Sequence, residues 1–185
     1  MRCLPLIRED IALFAKRKWL TSNLYYCFME THVKLLGKED LAEFIHLINV
    51  FEEVFEMKNF QLPPAGHLQQ LLSRDDFAVI VATQGNEVIG GLTVYTWQQY
   101  YAVKPLAYIY DLAVLTRCQR QGIGRLLIAF TLDHYRKSGY EEVFVQADRI
   151  DDYALDFYRK TNPTAEEDVA HFYYRLDNWK ANNVR

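Results

Sequence analysis

Apolar residues in this chain fall first into helical spacing and then into continuous runs. In KEDLAEFIHLINVFEEVFE, Leu41, Phe44, Ile45, Ile48, Phe51 and Phe55 lie on one stripe, which predicts an amphipathic helix. THVKLL, just before it, reads as a short first strand. QLPPAG breaks the chain, and HLQQLLS makes a second, short helix. FAVIVAT and VIGGLTVYTW are apolar runs joined by QGNE, whose Gly-Asn pair signals a hairpin. A third run over 106–115 leads into a helix from Gly122 to about Lys137, which SGY stops. EVFVQA is a further buried strand. DDYALDFYRKTN is a helix ended by Asn162-Pro163, and HFYYRLD reads as a closing strand. An antiparallel start followed by alternating strands and helices predicts a mixed α/β sheet.

Composition narrows the class. The chain has 185 residues, half of them hydrophobic and 15% aromatic, enough for one domain with a real core. A formal net charge of −3 argues against nucleic acid as the main partner. The three cysteines, Cys3, Cys27 and Cys118, form no CxxC pair, so neither a disulfide framework nor a zinc site is expected. No apolar run approaches the ~18 residues of a membrane span. MRCLPLIRED meets charge too early for a signal peptide. The expectation is a cytoplasmic protein that needs no metal. Residues 1–30, with Lys16, Arg17 and Lys18 among scattered aromatics, read as a partly helical N-terminal extension, and 31–185 as the functional domain.

The segment RCQRQGIG carries the first chemistry. It stands between the apolar run LAYIYDLAVL and the helical RLLIAFTLDHY. A glycine-rich turn opening a helix exposes unpaired backbone N–H groups, and the helix dipole adds to their pull on an anion. Gly122 and Gly124 permit close approach, while Arg117, Arg120 and Arg125 can add charge. A phosphate or pyrophosphate is the economical ligand. The dinucleotide fingerprint fails at Leu127, and the Gly-Lys-Ser/Thr of a P-loop is absent. Taken alone, the stretch is equally an ordinary helix start with two glycines. Asp111 is the one charge in its apolar strand. Desolvation there would raise its pKa and suit it to act as a base, unless it is a buried acid with a structural partner.

Gln119-Arg120-Gln121-Gly122-Ile123-Gly124 after a buried strand resembles the acetyl-CoA pyrophosphate loop of the GCN5-related N-acetyltransferases. YIYDLAV, RQGIG, VFVQAD, DDYALDFYRK and EEDVAHF resemble, in order and spacing, the aminoglycoside 3-N-acetyltransferases of that superfamily. The resemblance implies the acyl-CoA N-acyltransferase fold: a mixed, mostly antiparallel sheet with a splayed parallel pair, flanked by helices. It also implies acetyl-CoA as cosubstrate and antibiotic resistance as one physiological role. Asp111 would be the general base, acting directly or through water, and Tyr158 the general acid toward sulfur. The backbone of Leu112, Ala113 and Val114 would pair with the pantetheine arm, and the loop from Gln119 through Arg125 would hold the pyrophosphate. KTNP departs from the family's Lys-Leu-Gly, but asparagine tolerates the left-handed helix end. NPTAEEDVAH is slightly longer than its counterpart.

The acceptor side rests on charge. Asp148, Asp151 and Asp152, with Glu166, Glu167 and Asp168 further on, could receive a polycationic amine. Asp151 and Asp152 could equally be helix caps. His171 reads as structural, and Cys118, beside the loop, as a poor candidate for a covalent acetyl carrier. The expected activity is acetyl transfer to a primary amine of a small polycation, with a homodimer as a compatible assembly. A protein or peptide acetyltransferase and a non-catalytic acyl-CoA-binding module are the alternatives.

Overall fold

The computed structural model describes residues 30–176. The expected extension over 1–30, all but its last residue, and the end of the chain beyond 176 lie outside the described residues. The chain divides after Gln146 into two units.

The first unit is built on a five-stranded sheet in the order β1-β2-β3-β4-β5. The strands are β1 (Thr31–Leu35), β2 (Phe77–Gln84), β3 (Glu87–Trp97), β4 (Leu106–Val114) and β5 (Glu142–Val145). β1 to β4 pair antiparallel and β4 with β5 parallel, as a mixed sheet requires. The hairpin turns at Gly85-Asn86, where Gly85 has φ 57°. Between β1 and β2 lie α1 (Leu41–Val54) and α2 (Ala65–Leu72). Between β4 and β5 lie a short 3₁₀ turn (Thr116–Cys118) and α3 (Ile123–Lys137). A parallel neighbour needs such a crossover, because its chain must return to the same end of the sheet.

The buried face of α1 differs in detail from the expected stripe. Phe44, Leu47, Val50 and Phe51 are buried, whereas Ile45 and Ile48 are only half-buried and Phe55, just past the helix, is exposed. The cause is Gly91 on β3. A Cβ there would lie 2.7 Å from Leu47 Cδ1 and 2.5 Å from the Ile80 carbonyl oxygen. The missing side chain lets α1 approach the sheet on its Leu47 side. The core then fills with Leu47, Ile80, Ile89, Leu92, Val94 and Leu127, all inaccessible to solvent.

The parallel pair is short. β5 meets β4 only from Leu106 to Ile109, while β4 runs on to Val114. Beyond Ile109 the β5-side edge of β4 has no strand beside it among the described residues.

The second unit, from Ala147, contains α4 (Asp152–Arg159). The helix stops earlier than its apolar pattern suggested, with Lys160 as its C-cap. Asn162 takes φ 58°, the left-handed geometry expected of it. The expected closing strand does not form: 171–176 is irregular, with Phe172, Tyr173, Tyr174 and Leu176 exposed. Its aromatic residues favour strands, but a strand needs a neighbour to satisfy its backbone, and none pairs with this segment among the described residues.

Candidate active site

The irregularity in β4 falls at its acid. Thr93 faces Asp111 and Val94 faces Ile109, so Tyr110 is an extra residue opposite nothing. Such a bulge kinks the strand and re-aims side chains. Tyr110 packs edge-on against Tyr95 (5.6 Å between ring centroids) and Tyr108 (5.9 Å). Asp111 is near enough to the same two phenols for its charge to help raise their pKa values, after burial and Tyr110. The Asp111 carboxyl is half-buried, and burial alone pushes its pKa above the usual carboxylate range. Among the described residues no hydrogen-bond donor or cation is paired with it. A structurally paired acid would be held down by its partner, so that reading loses its support.

Downstream, the β4 edge runs on past the end of β5. The Leu115 amide donates to the Ile89 carbonyl at 2.9 Å. In an antiparallel ladder these bonds alternate, so Ala113 turns its amide and carbonyl toward β3, while Leu112 and Val114 turn theirs to the open side. Ala113, expected to act with its neighbours, is committed to the sheet. The Val114 carbonyl accepts from Gln119 Nε2 at 3.0 Å, which ties the following loop to the strand end.

That loop opens α3 through left-handed backbone. Gln119 is extended, Arg120 takes φ 61° and Gly122 takes φ 85° before α3 begins at Ile123. The left-handed residues at 120 and 122 make a tight turn at the entry to the helix, and a turn can present successive N–H groups to an anion. The amides of Ile123, Gly124 and Arg125 open the helix and have no carbonyl a turn behind them. A Cβ on Gly122 would meet nothing within 4 Å, so the glycine is there for its left-handed backbone and the open approach. Gln121 Nε2 donates to the Arg117 carbonyl at 3.3 Å and braces the turn. Arg120 and Arg125 are exposed, and Arg117 is paired with Glu87. A pyrophosphate is compatible with these residues: backbone donors open the helix, and a Cβ at Gly122 would meet nothing within 4 Å.

Cys118 is buried, and burial chiefly pushes its thiol up. A protonated, enclosed thiol is a poor nucleophile. Among the described residues no group of His, Cys, Asp and Glu is placed to hold a metal ion.

In the second unit, Asp151 is the N-cap of α4, accepting from the Ala154 amide at 2.9 Å. Asp152 lies in the first turn, where an acid suits the helix dipole. Arg149 pairs with Asp168 at 2.7 Å, and Arg159 with Glu166 at 2.7 Å. Arg149 and Arg159 thus take up two of the acids that sequence reasoning grouped, leaving Asp148, Asp152 and Glu167 exposed. Tyr158 is half-buried on the last turn of α4, its ring edge-on to Phe157 at 5.0 Å, and its carbonyl accepts from Thr161 Oγ1 at 2.7 Å. His171 is exposed and sits in no strand.

Residues 41–162 match the model of the acetyltransferase (GNAT) family. An aminoglycoside acetyltransferase from an uncultured soil metagenomic sample, solved in complex with trehalose, is 60% identical; the match covers 79% of this chain and 96% of that one, with a TM-score of 0.78. The same enzyme in complex with sisomicin is 59% identical, with the same coverage and TM-score. A second soil metagenomic aminoglycoside acetyltransferase is 30% identical over 80% of this chain and 99% of that one, with a TM-score of 0.74. A comparison with curated proteins gives no match. The mixed sheet with its parallel pair and the family match agree, and the chain belongs to the GNAT family of acetyltransferases.

Proposed function

We propose that this acetyltransferase moves an acetyl group directly onto a primary amine of a small polycationic sugar, an aminoglycoside or a compound close to one. The observation that carries the proposal is Asp111: an unpaired, half-buried carboxyl at a strand bulge, its pKa raised by burial. An amine is an ammonium ion at neutral pH and becomes a nucleophile only after losing a proton. A carboxylate whose pKa is raised toward that of its target is the better acceptor for it. Acetyl-CoA supplies the activated thioester. Gln119 to Arg125 would hold its pyrophosphate, and the open-side backbone of Leu112 and Val114 would pair with its pantetheine arm.

The remaining roles follow the resemblance. A backbone N–H of β4 would polarise the acetyl carbonyl. Tyr158 would give a proton to the departing sulfur. Cys118 would carry no acetyl group, consistent with a thiol kept protonated. Asp148, Asp151, Asp152 and Glu167 would attract the polycation, with Asp151 also holding its helix cap.

Support for a sugar acceptor comes from the soil enzyme, whose structures hold sisomicin, an amino sugar, and trehalose, a sugar without an amine. A cytoplasmic site of action fits the free thiol of Cys118, and no helix among the described residues is long and apolar enough to cross a membrane. A homodimer and a part in antibiotic resistance belong to the same reading. The test is thiol release from acetyl-CoA with a panel of aminoglycosides, linear polyamines, monoamines and N-terminal peptides. Turnover of aminoglycosides well above the others supports the proposal. Preference for the peptides overturns it.

A further inference from the structure

An aromatic row crosses the first unit beside Asp111. Phe77, Tyr95, Tyr108 and Phe144 are register partners on neighbouring strands β2 to β5. At one end Phe77 is buried and packs on Phe44 of α1, with ring centroids 5.8 Å apart. Toward β4 and β5 the row opens. Tyr108 stacks on Phe144 at 4.9 Å with planes 15° apart, and Trp97 packs on both, at 5.2 and 5.1 Å. Trp97 is 49% exposed and Tyr110 58%. Tyr110 is the residue inserted by the bulge, and it stands edge-on to Tyr95 and Tyr108 immediately before the acid.

Large aromatic surfaces left in water are unfavourable, and mutually packed ones hold their orientation. The Arg74 guanidinium near Tyr95 is already matched to Asp76 through two hydrogen bonds, at 2.7 and 2.6 Å. Asp111 has no such match among the described residues and leaves this surface an unpaired charge. A rigid apolar face with one lone carboxylate complements a molecule that has a flat apolar face and a cation at its edge. An amino-sugar ring is such a molecule: its axial C–H groups can lie on an aromatic face, and its ammonium is drawn both to the carboxylate and to the ring quadrupole.

We infer that Tyr110 and Trp97, held by Tyr95, Tyr108 and Phe144, form a stacking surface that selects acceptors with a sugar ring over linear polyamines. The inference rests on the amino-sugar reading of the acceptor and adds ring recognition to charge recognition. On this account two features of the chain cooperate. The bulge sets the base and the stacking tyrosine next to each other, and the row behind them fixes their angle.

The experiment is a calorimetric titration of the full chain with sisomicin and with spermidine, for wild type, Tyr110→Ala and Tyr110→Phe. Loss of one stacking ring should weaken sisomicin binding by roughly 5- to 10-fold, with a much smaller change for spermidine and recovery in Tyr110→Phe. Trp97 fluorescence in the wild type gives an independent readout. Sisomicin should shift it, and the shift should vanish in Trp97→Phe, which leaves the other two of the three tryptophans in place. Equal weakening for both ligands, or a sisomicin affinity untouched by Tyr110→Ala with no Trp97 signal, overturns the inference. So does sedimentation in which Tyr110→Ala dissociates a dimer while sisomicin affinity holds, because the surface would then serve a second copy of the chain. These binding readouts need no turnover, so their failure is separable from failure of the acetyltransferase activity.

Discussion

Asp111 on β4 stands opposite Thr93 on β3, and the next pair back along the ladder, Ile109 with Val94, skips Tyr110. Around that pair the sheet leaves a carboxyl in a half-buried place without a counter-charge, at a cost in stability. The cost has a definite pH dependence. Burial raises the Asp111 pKa in the folded state, so the fold holds the proton more tightly than the unfolded chain does. As pH rises from the ordinary aspartate value of about 3.9 through the raised one, the unfolded chain loses its proton first and stability falls. Asp111→Asn should therefore melt above wild type at pH 8, and the difference should shrink to nothing below about pH 4. An asparagine variant that melts lower at pH 8 would reveal an attractive partner for the carboxylate.

The anion loop makes a second prediction. Gly122 sits at φ 85° with free space where a Cβ would go, so Gly122→Ala costs only backbone strain, about 1 to 2 kcal/mol. Gly122→Asp bears a comparable strain and adds a negative charge to the turn. Thermal melting with and without acetyl-CoA separates the two effects. The alanine variant should keep much of the ligand-induced rise in Tm, and the aspartate variant should lose it. Equal rises in wild type and Gly122→Asp would place the pyrophosphate elsewhere.

Much of this was legible beforehand, for identifiable reasons. The strands from Phe77 to Val114 are long apolar runs bounded by Gly-Asn and proline, signals that survive any context. The loop could be found because a left-handed turn opening a helix demands glycine at 122. The Asp111 carboxyl stood out as the lone charge in its strand. Its bulge did not, because an inserted residue is visible only against the partner strand. The Leu47 side of α1 was hidden for a similar reason: Gly91, 44 positions away in sequence, decides which of two overlapping stripes faces the sheet. The stretch from His171 has strand propensity but no neighbour, and propensity cannot supply one. The pairing of Arg149 and Arg159 with Asp168 and Glu166 likewise lies beyond the sequence.

The acids of the second unit should divide by role. Asp151 caps α4, so Asp151→Ala should lower stability by about 1 kcal/mol. Asp148 is exposed and makes no such cap. Asp148→Asn should leave Tm nearly unchanged while raising KM for an aminoglycoside more than for a monoamine. The wild-type KM should also climb with salt, because exposed charges are screened over roughly 10 Å at 0.1 M. A lowered Tm with a flat KM for Asp148→Asn would assign this residue to the fold rather than to the acceptor.

Direct transfer predicts a silent Cys118. Its buried thiol is held above the ordinary value, so little thiolate exists at neutral pH. Cys118→Ala should retain more than half of wild-type turnover, and mass spectrometry of enzyme incubated with acetyl-CoA alone should find no acetyl group on this cysteine. An adduct that passes its acetyl group to an added amine would require a two-step route.

The central claim is that Asp111 takes the proton of the acceptor amine. The most direct measurement is the pH profile of kcat/KM for sisomicin, wild type against Asp111→Asn, by thiol release, with acetyl-CoA affinity measured on both. Removal of a general base typically costs about 10²- to 10⁴-fold. The account predicts a loss in that range with acetyl-CoA affinity unchanged. It also predicts that the acidic limb of the wild-type profile, set above the usual carboxylate range, disappears in the variant. Turnover within a few-fold of wild type, with the same acidic limb, would contradict it.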